Sequence, residues 1–203
     1  MVSEIRIYIE GGGDSKDTKA FLRQGFSAFL KELVDIARNN KRRWQLITCG
    51  SRGAAFDAFT TSMRQNPQAF NVLLVDSEAP VETTPWAHLR ERDGWNATSV
   101  LDDQCHLMVQ AMEAWLISDL EALAGFYGAG FNRNSIPGNA NVEQVAKANL
   151  EPSLKTATRN TQKGEYRKIH HASKLLALID PAKVRTASQH CARLFTTLSS
   201  RMN

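Results

Sequence analysis

Val72-Leu73-Leu74-Val75-Asp76-Ser77-Glu78 is the stretch whose reading decides the fold. Four apolar residues run without a break and stop at two carboxylates separated by one serine. A run this short and this apolar fits a strand buried on both faces, the kind found inside a parallel sheet. Ligands of open α/β sheets bind beyond the carboxyl ends of such strands. A second stretch has the same form: Ile5-Arg6-Ile7-Tyr8-Ile9 leads into Glu10-Gly11-Gly12-Gly13-Asp14. Two strands that end in acids predict a metal site assembled across neighbouring strand tips.

The rest of the first half supports a strand-helix alternation. The Gly11–Gly13 run frees the backbone to take positive φ and approach a ligand closely, and Asp14 or Ser15 can cap a helix. Phe21, Leu22, Phe26, Phe29, Leu30, Leu33, Val34 and Ala37 keep helical spacing and predict one long helix packed on the sheet, ending at the cations Arg38 to Arg43. Trp44 to Cys49 reads as a second strand, and Ala54 to Gln65 as a helix with Phe56 and Phe59 inward. The opening stretch is then the third strand. This order implies right-handed crossovers and a mostly parallel sheet. Ala79 to Trp95 reads as a lid or insert with a helix start at Thr84-Pro85. Cys105 to Val109 reads as a fourth strand, and Met112 to Leu123 as one amphipathic helix.

The composition shifts at the turn-rich segment Tyr127 to Gly138. The remainder of the chain is basic and helical, with helices expected at about 166–178 and 181–199 and Asp180-Pro181 opening the second. The expected organisation is an α/β domain over residues 1–125 and a helical C-terminal part over 126–203 packed on it. With 203 residues, a net charge of +4 and a pI near 9.1, the chain can bury one sizeable core and suits a polyanionic partner. No apolar run is long enough for a membrane span, no leader pattern opens the chain, and three scattered cysteines argue against a disulfide framework. A reduced, cytoplasmic protein is expected.

Glu10, Asp76 and Glu78 carry the main chemical signal. Magnesium takes hard oxygen ligands and keeps several waters, so one to three carboxylates on rigid strand tips suffice. The alternative for each is an acid that caps a helix or pairs with arginine. Glu113 lies among Met112, Ala114 and Trp115, where a carboxylate needs a partner. It is either a further ligand or a first-turn acid favoured by the helix dipole. Asp119 carries the same ambiguity, and the pair Asp102-Asp103 before the fourth strand either approaches the metal or is a solvated turn. Gly50-Ser51-Arg52-Gly53 is either a phosphate-binding helix start, with Arg52 forking onto the anion, or a plain tight turn. Lys163 to Lys174 is either a phosphate-binding face or a solvated cationic one. His170 and His171 point about 100° apart on a helix and do not suit a shared metal. The tryptophans read as core or lid packing, and no aromatic–basic alternation suggests a base-stacking platform.

These residues resemble the Toprim pattern: a first strand ending Glu-Gly, a βαβ layout, and a later apolar strand ending in two acids one residue apart. The fuller resemblance is to small Toprim-related proteins of unknown function found beside ATPase genes in bacterial defence loci. It rests on Glu10 to Asp14, Met112 to Leu116, and Tyr166, Lys168 and His171. The resemblance implies a Toprim-like (Rossmann-like) sheet flanked by helices and a magnesium- or manganese-dependent nuclease acting on DNA or RNA. Glu10 would be the acid/base residue, and Asp76 and Glu78 the magnesium ligands. Glu78 stands where the stricter pattern has Asp.

The resulting expectation is a metal-dependent phosphodiester hydrolase, the effector of a bacterial defence system. Its catalytic acids would be Glu10, Asp76 and Glu78, with Glu113 a further metal ligand. Gly12, Arg52, Lys168 and His171 would meet phosphate. The alternatives are a non-catalytic binding subunit of an ATPase complex and a nucleotide binder. The latter lacks both a Walker loop and a Gly-x-Gly-x-x-Gly run.

Overall fold

The computed structural model describes residues 2–97 and 99–203; Met1, where the leader expectation began, lies outside them. Four strands form one sheet: β1 (Glu4–Glu10), β2 (Arg43–Gly50), β3 (Phe70–Asp76) and β4 (Cys105–Met108). Their order across the sheet is β2-β1-β3-β4, and every pairing is parallel. The protein is a Rossmann-like α/β fold. The chain steps from β1 outward to β2, then returns past β1 to β3. The sheet therefore changes direction between β1 and β3, and the crevice beyond their carboxyl ends is where such sheets bind ligands.

All seven residues of β3 are buried, as an apolar run inside a parallel sheet requires. β1 alternates: Ile5, Ile7 and Ile9 face the larger core, and Tyr8 faces the smaller one. Helix α3 (Arg52–Gln65) and helix α4 (Pro85–Asp93), capped by Thr84, cover the smaller side. There Phe56 stacks on Trp95 with ring centroids 4.2 Å apart. Leu89 and Trp86 of α4 and Trp95 thus pack on the sheet, while residues 82–84 of the passage are exposed.

The larger side is covered by helices from both halves of the chain. α1 (Lys16–Phe29), whose Ser15 cap accepts from the Thr18 N–H, and α2 (Lys31–Asn39) come first. α5 (Met112–Ile117), α6 (Leu120–Tyr127), α7 (Lys147–Thr158), α8 (Lys168–Leu176), α9 (Pro181–Ala187) and α10 (Gln189–Met202) complete it. Phe29 stacks on Trp115 at 5.3 Å and meets Phe195 edge-on at 5.8 Å, so the N-terminal, middle and C-terminal segments share one core.

Three expected helices are each split in two. The first breaks at Leu30, yet its apolar stripe continues because both pieces lie on the same core. The Met112–Leu123 helix breaks where Asp119 caps α6 and also accepts from the Asp180 N–H and the Lys183 ammonium. Every residue of α5 is buried, so this piece is not amphipathic. The last helix breaks at Ser188, which caps α10. Asp180 and Pro181 open α9 as the sequence predicts. Among the described residues, no helix is long and apolar enough to cross a membrane.

Candidate metal and phosphate site

The carboxylates of Glu10, Asp76 and Glu78 converge where β1 and β3 end, each offering an oxygen within 4.8 Å of the others. Strand register brings this about. β1 and β3 pair in parallel, with Ile9 opposite Leu74, so both run out of sheet at the same level. Glu78 lies two residues past its strand and sits at φ +68°, the left-handed region that a β-carbon disfavours. Its N–H is pinned to the Gln110 carbonyl at 2.8 Å. Such conformations cost about 1–3 kcal/mol and persist where the surroundings over-determine them.

Each acid is also met by a cation or a backbone donor. The Glu10 carboxylate accepts from Arg52 and from the Asp76 N–H, both at 3.1 Å. Burial pushes the Glu10 carboxyl above its usual range, opposed by Arg52 and the Asp76 N–H and helped by Glu78. Asp76 Oδ1 accepts from the Met112 N–H at 2.8 Å, while its Oδ2 lies 3.8 Å from the Lys168 ammonium. Burial drives this carboxyl up to about 7; Lys168 opposes the rise, and Glu10 and Glu113 add to it. Glu78 meets Lys147 of α7 and, at 3.5 Å, Arg92 of α4. Convergence of the acids and pairing with cations therefore both hold.

Glu113 stands outside the carboxylate cluster. It is buried, accepts from the Tyr166 hydroxyl at 3.1 Å, and lies 3.1 Å from the Lys168 ammonium. Its contacts here hold Lys168, and it is not one of the three clustered acids. Arg52 is similarly committed. Its fork binds Asp93 at 3.0 and 2.7 Å, it also reaches Glu10 and the Asp76 carbonyl, and it stacks over Trp95. An arginine so occupied orients Glu10 and has no free fork for phosphate. His171 lies away from the acids: Nδ1 faces the Tyr127 hydroxyl at 2.9 Å, with Phe126 beside the ring. Burial pushes its pKa down, and the cations Lys174, Arg167 and Lys163 with His170 push the same way. Asp102 and Asp103 precede β4 and so sit at the opposite end of the parallel sheet, paired with Arg193 and Arg201.

The glycine loop shapes the other wall. Gly11, Gly12 and Gly13 all have positive φ, and Gly11 exchanges backbone hydrogen bonds with Gly50 at 2.7 and 3.0 Å. A cavity of about 280 Å³ opens there, lined by Glu10, Gly12, Asp76 and Lys168 among others. A methyl on Gly50 would stand 2.8 Å from the Gly13 carbonyl oxygen, and Gly50 itself sits at φ +87°. Gly50→Ala is therefore expected to lose about 2 kcal/mol or more of stability, read from urea midpoints. An unchanged midpoint would show that the loop can yield.

The family described as a domain of unknown function, DUF4276, matches residues 9–199, from the first strand tip into α10. The chain belongs to that family. Comparison with curated proteins and with solved structures returned no match. In this DUF4276 chain the acids at 10, 76 and 78 were legible from strand tips alone. Lys147, Arg92 and Asp93 were not, because nothing local marks a cation or an acid that joins a site from a helix far away in sequence.

Proposed function

We propose that this protein is a divalent-metal-dependent phosphodiester hydrolase acting on nucleic acid. The observation that carries the reading is the convergence of Glu10, Asp76 and Glu78 at the turning point of the sheet. The donor set fits the ion: hard oxygens only, on strand ends, with Asp76 buried and held by one backbone N–H and a distant ammonium. Glu10, Asp76 and Glu78 would hold magnesium or manganese, which supplies Lewis-acid polarisation of a phosphoryl oxygen and a more acidic bound water.

The chain's own groups surround that position. Glu10, oriented by Arg52 and with its carboxyl raised by burial, is suited to exchanging a proton with a water. Lys168, held by Glu113 whose carboxylate also accepts from the Tyr166 hydroxyl, presents its ammonium to a phosphate at the cavity, and Gly12 lets a phosphate approach the backbone. Lys147 and Arg92 neutralise Glu78 and can turn to the substrate's charge instead. The resemblance to Toprim-related proteins supports a cytoplasmic setting, a role in bacterial defence and an ATPase partner.

The test is cleavage of plasmid DNA and of RNA with magnesium or manganese, compared with EDTA, alongside calorimetric titration with manganese. Metal uptake together with metal-dependent cleavage is expected. The pairing of every acid with a cation favours a second reading, a non-catalytic protein whose acids form a regulatory or vestigial metal site, and the resemblance supplies an ATPase complex as its setting. A co-purifying ATPase, with neither metal uptake nor cleavage by this chain alone, would favour that reading over the first.

A further inference from the structure

Helical spacing put Phe21 among the core residues of α1, yet it is 54% exposed. Facing it across a groove is Ile169 of α8, 55% exposed. The groove encloses about 430 Å³ between α1 and α8, with Gln24, His170 and Lys174 also on its walls and no acid among its lining residues. Its floor is closed by backbone. A methyl on Gly25 would stand 2.5 Å from the Ser173 carbonyl oxygen, so the two helices touch with nothing between them. The groove runs into the acid cavity, since Thr18, Ile169 and Ser173 line both. Ile169 also reaches the glycine loop, its Cδ1 lying 4.0 Å from where a Gly13 β-carbon would be.

We propose that this groove takes an unpaired nucleobase next to the phosphate at the acid cavity, so that the substrate is single-stranded nucleic acid. The inference rests on the hydrolase reading and deepens it. An aromatic ring and a branched aliphatic chain facing each other can hold a flat base on both faces. Stacking of this kind tolerates any sequence because every base has a π-face. Lys174 and His170 on the wall and Lys168 at the cavity complement a phosphate backbone that runs from one space into the other. A duplex keeps its bases stacked inside and would offer this surface only phosphates, leaving Phe21 and Ile169 in water. No such platform is visible in the sequence, because the aromatic lies on α1 and the cations on α8, with well over a hundred residues between them.

The experiment is fluorescence anisotropy with end-labelled single-stranded DNA and RNA and with the matching duplexes, all in EDTA so that nothing is cut. Tighter binding of the single strands is expected. Phe21→Ala should weaken that binding about tenfold, and Phe21→Trp should restore it. Equal affinity for duplex and single strand, or an unchanged Phe21→Ala variant, would overturn the proposal. Cleavage with magnesium that is indifferent to Phe21→Ala removes the groove and keeps the hydrolase. Phe21-dependent single-strand binding without cleavage under any metal keeps the groove and removes the hydrolase. If no oligonucleotide binds and Phe21→Ala instead abolishes self-association in sedimentation, the face is a contact between copies and the proposal fails.

Discussion

Asp76→Asn is expected to abolish metal-dependent hydrolysis, by about a hundredfold or more, while the protein stays folded and melts no lower than wild type in EDTA. Asparagine keeps the Oδ1 acceptor that receives the Met112 N–H at 2.8 Å. It removes a charge that is buried beside two other carboxylates, Glu10 and Glu113, and that burial resists strongly enough to push the carboxyl to about 7. Losing activity without losing stability distinguishes a ligand from a structural acid. Asp76→Ala, which takes away the acceptor of the Met112 N–H, tests the anchoring of α5 separately: it should lower the melting temperature where Asp76→Asn does not. Glu10→Gln tests the second acid and keeps an oxygen for the Asp76 N–H and for Arg52, so it should fold as well. Wild-type hydrolysis by Asp76→Asn would remove the proposed centre. The readouts are cleavage rate with magnesium and thermal melting without metal, measured on the same preparation.

The second large effect is on acid stability, and it comes from His106 in β4. The ring is buried, with Nε2 3.0 Å from the Asp103 carbonyl and Nδ1 3.3 Å from the Arg193 guanidinium. A guanidinium only donates and a carbonyl only accepts. The ring must therefore be neutral with its proton on Nε2. Burial pushes the His106 pKa down to about 3; Arg193 and His190 push the same way, and the Asp103 carbonyl opposes. In the unfolded chain a histidine titrates near 6.5. Below that pH the unfolded state takes up a proton that the folded state refuses. The contribution is thus complete above about pH 6.5 and is lost as pH falls towards 3, by roughly 3 kcal/mol at pH 4. His106→Gln should cost some stability at pH 8, and its deficit should shrink by about that amount on going to pH 4, as read from urea midpoints across the range. Parallel curves for the two proteins would show that His106 does not set the acid limb.

Residues whose neighbours in space are also neighbours in sequence were the legible ones. The apolar run of β3, the alternation of Ile5, Ile7 and Ile9, and the Asp180-Pro181 opening of α9 come from burial and backbone preference within a few residues. The acids at the strand tips were legible for the same reason, since a parallel sheet puts its strand ends on one level. The helix breaks were not. Asp119 reads in the sequence as a further ligand or an acid within one helix, and its place as the cap of a second helix goes with Lys183 and the Asp180 N–H, brought in by the fold. Glu113 was singled out for needing a partner, but whether that partner is an ion or Lys168 depends on where α8 lands. Phe21 kept the spacing of a core residue yet is exposed, one turn before Gly25, where α8 packs against α1.

The core shared by the two halves has a consequence for dissecting the molecule. Phe29, Trp115 and Phe195 come from three distant parts of the chain, and two further helices of the later half, α7 and α8, deliver Lys147 and Lys168 to the acids. Residues 1–125 expressed alone would keep all three strand-tip carboxylates and the covering helices α1, α2 and α5, but would lose α7 to α10 from the larger core and with them the ammonium groups of Lys147 and Lys168. Fragments should be inert apart and active only when co-expressed. A single cut in the connection between α6 and α7 should leave two pieces that travel together through a sizing column.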